Sequence, residues 1–224
     1  GASGRGLVVE AEVVFNTAMS GYQESLTDPS YRGQILVQTF PLIGNTGTNP
    51  VDVESGRVQV AGFVVRELAH RYSNFRADKS LAAYLADAGV LGIAGIDTRA
   101  LTRRLRTGGA MSGVLTDDAG LSDRQLVERA RNAPSMAGQN LVPSVGRTAR
   151  DDWSEKLDAW AWAPGAGARA QGEDGADPSR PLRVLAMDCG AKRNILRNLA
   201  ERDCLVQLIP HDTPASEILQ AYEQ

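Results

Sequence analysis

The sequence predicts an α/β protein in two parts: an α+β layered first part, then the opening units of a parallel doubly wound sheet. Three observations predict this. Strand-like and helix-like segments alternate through the first part, but several strand signals follow one another directly. Residues 163–181 are rich in Gly, Ala, Pro and charge and have no apolar periodicity, the composition of a linker. A compact strand–helix–strand–helix pattern follows. The expected division is therefore 1–162, a linker at 163–181, and 182–224.

Composition sets the outer limits. The 224 residues are 42% hydrophobic and 23% charged, an ordinary globular balance. No apolar run approaches the roughly 20 residues of a membrane span, and the first residues lack an apolar signal core. The net charge of −3 argues against a general nucleic-acid or anionic-membrane partner. A cytoplasmic protein with neither partner is expected. Cys189 and Cys204 are the only cysteines, and His70 and His211 the only histidines. Neither a disulfide framework nor a metal site is expected from so few.

The elements follow in order. Residues 13–15 read as a short buried strand and residues 34–40 as a second. Between them, residues 19–31 are dense in polar and turn chemistry. Gly21 frees φ, and Asp28-Pro29 starts a turn because a residue before proline leaves the α region. The stretch reads as a loop whose Tyr, Gln, Glu, Thr, Asp and Ser side chains must be solvated or organised around a ligand or partner. Residues 41–50 look superficially like a phosphate cradle, but Thr48-Asn49 follows Gly47 where a P-loop needs Lys-Ser/Thr. They are read as a turn-rich connection. Residues 58–68 give a longer strand signal.

Asp78 is expected to cap a helix with Leu81, Tyr84, Leu85 and Ala88 on one stripe, ended by Gly89. Residues 90–96 form a short strand. Asp97-Thr98 start a helix over residues 99–106, with Leu101 and Leu105 buried and Gly108-Gly109 closing it. Arg103, Arg104 and Arg106 complement the negative end of its dipole. Residues 113–115 are another strand. Ser122 and Gln125 give a capping box, Leu121 can staple Leu126, and Pro134 stops the helix. Trp153, Trp160 and Trp162 are read as packing against the first part rather than as a stacking platform. Beyond the linker, residues 182–187 form a strand, Asp188-Cys189-Gly190 a tight turn, and residues 191–202 a helix with Ile195, Leu196 and Leu199 on one face. Residues 204–209 form a second buried strand, and Thr213-Pro214 start a further helix. About forty residues cannot close such a sheet, so this second domain is expected to be incomplete.

Several strings are long and specific. They are Glu12-Val13-Val14-Phe15-Asn16-Thr17, Met19, Gly21-Tyr22-Gln23-Glu24 and Thr27-Asp28-Pro29-Ser30-Tyr31, then Ile43-Gly44-Asn45 with Gly47-Thr48-Asn49. Ser73-Asn74-Phe75-Arg76, Ile96-Asp97-Thr98-Arg99 with Leu101-Thr102, and residues 190–197 follow in order. Together they resemble the small, glutamine-hydrolysing subunit of carbamoyl-phosphate synthetase, from about residue 12 to the end. The resemblance implies a swivelling β/β/α N-terminal domain followed by a class I glutamine amidotransferase domain. In that family a Cys-His-Glu triad hydrolyses L-glutamine, the thiolate attacking the amide carbon while backbone N–H groups hold the oxyanion. Ammonia then passes to a large subunit, the implied partner. That subunit carries the ATP and Mg and makes carbamoyl phosphate from bicarbonate for arginine and pyrimidine synthesis. No cofactor is implied in this chain itself.

The sequence also departs from the family. The nucleophile should sit in a Gly-x-Cys-x-Gly elbow, after an Asn-Gly-Pro-Gly-Asp-Pro loop. Neither is present in these 224 residues, nor are the downstream His and Glu. The expectation is a fragment truncated at both ends, inactive alone, with no catalytic residue assigned. Cys189 follows a strand and precedes a helix but lacks the elbow context, so it is not assigned as nucleophile. Cys204 is read as a small core residue. Ser30 matches the family position beside the bound glutamine and is the one substrate-binding residue carried over; otherwise it caps the Asp28-Pro29 turn. Lys192, Asn194 and Arg197 match the family string and are read as helix surface and domain contact. The alternative is a non-catalytic docking or assembly module for a synthetase large subunit.

Overall fold

A computed structural model describes residues 6–158 and 181–223. The expected linker positions 163–180, with Trp160 and Trp162, lie outside the described residues. The chain divides between Gln139 and Asn140 into two units. In chain order the first contains β1 (Val8–Asn16), α1 (Tyr22–Thr27), a 3-10 turn (Pro29–Tyr31), β2 (Ile35–Gln38), β3 (Leu42–Ile43), β4 (Gly62–Val64) and β5 (Glu67–Leu68). It continues with α2 (Leu81–Asp87), β6 (Leu91–Ile93), α3 (Thr98–Gly108), β7 (Met111–Thr116) and α4 (Asp123–Asn132).

β1 runs well beyond the expected residues 13–15 because it serves two partners. Its first part pairs antiparallel with β7, Val8 opposite Thr116 through Val13 opposite Met111. Its last four residues pair parallel with β2, from Val13 opposite Ile35 to Asn16 opposite Gln38. The sheet order is β6-β4-β2-β1-β7, and only β7 is antiparallel to its neighbour. α1 lies on the crossover from β1 to β2 and α2 on that from β4 to β6, whereas β2 reaches β4 through a connection that contains β3 and no helix.

The sheet is covered on both faces, which explains the unbroken apolar run Ile35-Leu36-Val37. Leu26, Leu36, Phe63 and Leu81 cluster on one side, and Ala11, Ile35, Val37, Val64 and Leu115 on the other. Fully burying a side chain such as Leu36 or Phe63 stabilises the fold by about 1.5–3 kcal/mol.

The structure corrects several sequence expectations in this unit. Residues 58–68 do not form one strand. Gln59 N bonds to Leu26 O and Ala61 N to Gln34 O, single ties rather than a ladder. After β4 the chain leaves the sheet, and β5 pairs with β3 instead. The α2 N-cap is Ser80, whose hydroxyl accepts from Ala83 N at 3.2 Å; Asp78 N is bonded to Thr48 O. The α3 and α4 starts are as read, with Asp97 accepting from Ala100 N and a full capping box at Ser122 and Gln125.

In the second unit, α5 (Val142–Val145), β8 (Asp151–Trp153), β9 (Arg183–Asp188), α6 (Arg193–Glu201), β10 (Leu205–Pro210) and α7 (Ala215–Glu223) are described. β9 and β10 pair in parallel, and β8 adds antiparallel to β10. Asp151–Trp153, placed by sequence within residues 1–162, thus belong to this sheet. Trp153, expected from sequence to pack against the first part, packs on Leu196, Val206 and Leu208 of the second unit. Cys204 packs on the same cluster, as a small core residue would. Ile195 is exposed, so the buried face of α6 is formed by Leu196, Leu199 and Ala200. The mixed α/β class expected from sequence is the one observed. Among the described residues no helix is long and apolar enough to cross a membrane.

Candidate functional site

The polar stretch 19–31 is not a loop. Gly21, at φ +78°, turns the chain into α1, and the single turn Pro29–Tyr31 follows. α1 has no side-chain cap; instead Ser25 returns both its N–H and its hydroxyl to Gly21 O, each at 3.0 Å. A six-residue helix with a glycine at its start is too short to hold itself together. Its stability comes from what its polar side chains reach.

They reach the connection 46–55. The Tyr22 hydroxyl donates to Gly47 O at 2.6 Å and lies 2.9 Å from Thr46 Oγ1. Gln23 Nε2 donates to Asn49 O, and Asn49 N donates back to Gln23 Oε1 at 2.9 Å. Thr27 Oγ1 accepts from Glu54 N at 2.9 Å, and the Ser55 hydroxyl donates to Thr27 O at 2.6 Å. Gln23, Thr27 and Asn49 are buried, so each of these bonds satisfies a group shut off from water. The polar residues of the stretch are thus organised largely around a second segment of the same chain.

Asn16, at the end of β1, ties this assembly to the sheet. Its amide donates to Ser25 Oγ at 3.1 Å and to the Tyr31 hydroxyl at 3.2 Å, and its Oδ1 accepts from Ala18 N at 2.7 Å. Beside it, fully buried Gln38 donates to Ala18 O at 2.7 Å. Asn16 and Gln38 face each other in register at the carboxyl ends of two parallel strands, the usual location of binding sites in such sheets.

Between α1 and the connection lies a cavity of about 270 Å³, bordered by Ser20, Glu24, Thr46, Asp52 and Asn74. Burial pushes the Glu24 carboxyl above its ordinary range, Asp52 and Glu54 add to the shift, and Arg76 opposes it. Asp52 itself is held by Arg76 at 2.7 Å and by Asn49 Nδ2 at 2.8 Å. Burial also raises Tyr22.

Ser30 sits in the 3-10 turn with an exposed side chain. The turn is capped by Asp28, whose buried carboxylate accepts from Ser30 N at 2.9 Å, with Pro29 at the first position. The cap is therefore Asp28, and Ser30 presents its hydroxyl outward with no hydrogen-bond partner among the described residues. Sequence reading found the Asp28-Pro29 turn. It missed Asn16 and the Gln23–Asn49 pair, since nothing local marks amides that act on partners far along the chain.

The second unit gives roles to the other residues singled out. Asp188 Oδ1 accepts from Gly190 N and Ala191 N, both at 2.9 Å, and Oδ2 accepts from Arg147 N at 3.1 Å. A carboxylate thus takes the amide donors of the turn beside exposed Cys189. Arg197 is 5% exposed and donates to Glu155 Oε1 from Nη2 at 2.6 Å and from Nε at 2.9 Å, and to Asn194 Oδ1 at 3.0 Å. It fastens α6 to the segment after β8 inside the second unit, so Arg197 is a buried tie within one unit rather than the helix surface and domain contact expected of it. His70 lies in the first unit and His211 in the second. Among the described residues, no group of three or more His, Cys, Asp and Glu is placed to hold a metal ion.

A family model described as carbamoyl-phosphate synthase small chain, CPSase domain, matches residues 2–115. This region includes α1, the turn at Ser30 and the connection that α1 grips. Curated relatives carry the name carbamoyl phosphate synthase small chain. One from Nostoc sp. is 49% identical over 210 residues, covering 93% of this chain and 52% of the relative. One from Synechococcus sp. is 46% identical over 220 residues, covering 98% and 53%. One from Rhodopirellula baltica is 46% identical over 209 residues, covering 93% and 53%. The chain spans about half the length of the curated relatives it matches. With the family model covering half of the sequence and these relatives aligned along nearly all of it, the chain belongs to the carbamoyl-phosphate synthase small chain family.

Proposed function

We propose that this chain forms part of a glutamine-hydrolysing subunit that supplies ammonia to a synthase large subunit. There, with bicarbonate and with ATP and Mg bound on the large subunit, carbamoyl phosphate is made for arginine and pyrimidine synthesis. In this reading the first unit contributes Ser30 to the glutamine site. The observation that carries the proposal is the exposed Ser30 hydroxyl on a turn fixed by Asp28 and Pro29. A hydroxyl can donate to a carboxylate or carbonyl and accept from an ammonium or amide, so it suits either polar end of glutamine. Holding the turn in place beforehand lowers the ordering cost of binding. The thiolate, His and Glu of the family's triad are taken from sequence outside these 224 residues.

The test is glutamine-dependent carbamoyl-phosphate synthesis by the assembled synthase, compared with synthesis from added ammonia. Ser30→Ala raises the KM for glutamine and leaves the ammonia-dependent rate unchanged. Equal loss of both rates would mean that Ser30 acts on assembly rather than on the substrate.

A further inference from the structure

We infer that Asn16, acting through the Tyr31 hydroxyl, is a positioning residue for Ser30: it ties the turn to the sheet, so that the Ser30 hydroxyl stands at one place. This role rests on the glutamine contact proposed above for Ser30 and adds what sets that contact.

The turn is held from two sides. Before Ser30, the Asp28 carboxylate accepts from Ser30 N at 2.9 Å and Pro29 fixes its own φ. Those restraints are local: they shape the turn without fastening it to the sheet. After Ser30, Tyr31 does the fastening. Its half-buried ring packs on the cluster that contains Tyr22, Leu26 and Leu36. Its hydroxyl accepts from Asn16 Nδ2 at 3.2 Å. Asn16 is the last residue of β1 and lies in register with Gln38 of β2. The residue next to Ser30 is therefore bonded to the end of a sheet strand.

The partners of the Asn16 amide fix which way it points. Ala18 N can only donate, so the atom it meets at 2.7 Å is Oδ1. The Nδ2 end then faces Ser25 Oγ at 3.1 Å and the Tyr31 hydroxyl. Ser25 gives its one hydroxyl hydrogen to Gly21 O at 3.0 Å, which leaves its oxygen to accept. Asn16 thus commits one N–H to α1 and the other to the turn. An aspartate of the same shape has no N–H to give either of them. Binding through a single hydroxyl depends on where that hydroxyl stands, because hydrogen bonds weaken steeply away from their preferred distance and angle. A misplacement of about 1 Å is enough to loosen a site.

The experiment is a double-mutant cycle in the assembled synthase, read as the KM and kcat for glutamine and the rate with added ammonia. Tyr31→Phe removes only the hydroxyl and keeps the ring in the core. It raises the glutamine KM by about 2- to 5-fold and leaves kcat and the ammonia-dependent rate in place. Ser30→Ala raises KM at least as much, and the double variant is no worse than Ser30→Ala alone, because the group being positioned is already gone. Asn16→Ala, which also frees α1, raises KM too, and adding Tyr31→Phe to it changes nothing further. The Tyr31→Phe arm decides the matter even where Asn16→Ala weakens the fold. A raised KM in Ser30→Ala with an unchanged one in Tyr31→Phe overturns the positioning role and leaves the glutamine contact standing. Effects of Ser30→Ala and Tyr31→Phe that multiply overturn it as well, since the two residues then act independently. Equal losses of the glutamine- and ammonia-dependent rates in Tyr31→Phe show a purely structural tie. An unchanged KM in Ser30→Ala removes the hydroxyl contact and this role with it.

Discussion

Gln23 and Asn49 exchange two hydrogen bonds, side-chain amide against backbone amide, in a site that water does not reach. One pair joins α1 to the connection 46–55, so two short strings 26 residues apart act as a single unit. Gln23→Ala strands both the N–H and the C=O of Asn49. Each unsatisfied buried group costs about 1–3 kcal/mol, so a loss of about 2–6 kcal/mol is expected. Urea unfolding measures it. A loss below about 0.5 kcal/mol, the range of an ordinary surface substitution, would mean that the pair holds nothing.

Gly47 is the point on which the connection closes. Its φ is +67°, and a Cβ there would meet Ala77 Cβ at 2.7 Å, Tyr72 Cδ2 at 2.8 Å and Lys79 O at 3.0 Å. Its carbonyl also receives the Tyr22 hydroxyl. Gly47→Ala combines backbone strain with overlap and costs about 2–4 kcal/mol. Gly56→Ala, where the added carbon meets nothing within 4 Å, is close to neutral. Thermal melts of the two variants should separate clearly, and similar melts would contradict the packing described here.

The contrast between these segments and α3 or α4 shows what a sequence can reveal. Asp97 caps α3 and Ser122 with Gln125 caps α4 through bonds spanning three residues, so the signal is local and legible. α1 reads as a loop from sequence because its stabilising bonds run to Gly47, Asn49 and Glu54. Residues 58–68 looked like one strand because β-branched residues fit a pleated surface. Where the chain leaves the ladder is decided by neighbours such as Leu26 and Ile93. β8 is three residues long with two aspartates, and only its pairing with β10 makes it a strand. At the candidate site, Asp28-Pro29 announces a turn, whereas the role proposed for Ser30 rests on resemblance to a family. The hub at Asn16 left no local trace.

Glu24 gives the fold a pH dependence with a definite sign. Burial, then repulsion from Asp52 and Glu54, raises its folded pKa above the unfolded value, with Arg76 opposing. A carboxyl raised on folding contributes stability that is complete below the unfolded value, about 4.3, and is lost as pH rises through the folded value. At pH 7 the ionised group works against folding. Glu24→Gln therefore raises the urea midpoint at pH 7, and the gain shrinks as pH falls toward about 4. A gain of equal size at both pH values would show that packing, not ionisation, is responsible.

Ser30 and Asp28 divide one turn into a presenting residue and a supporting one. The Ser30 hydroxyl has no partner among the described residues, so Ser30→Ala leaves the unfolding midpoint in place. If it meets glutamine, losing one hydrogen bond of about 0.5–1.5 kcal/mol raises KM by about 2- to 12-fold. Asp28→Ala removes the carboxylate that fixes the turn. It should raise KM as well and also lower stability by about 1 kcal/mol, the cost of a lost cap. The two variants thus separate contact from support: KM moves in both, the midpoint only in the second. An unchanged KM in Ser30→Ala with a raised one in Asp28→Ala would move the substrate contact from the hydroxyl to the backbone of the same turn.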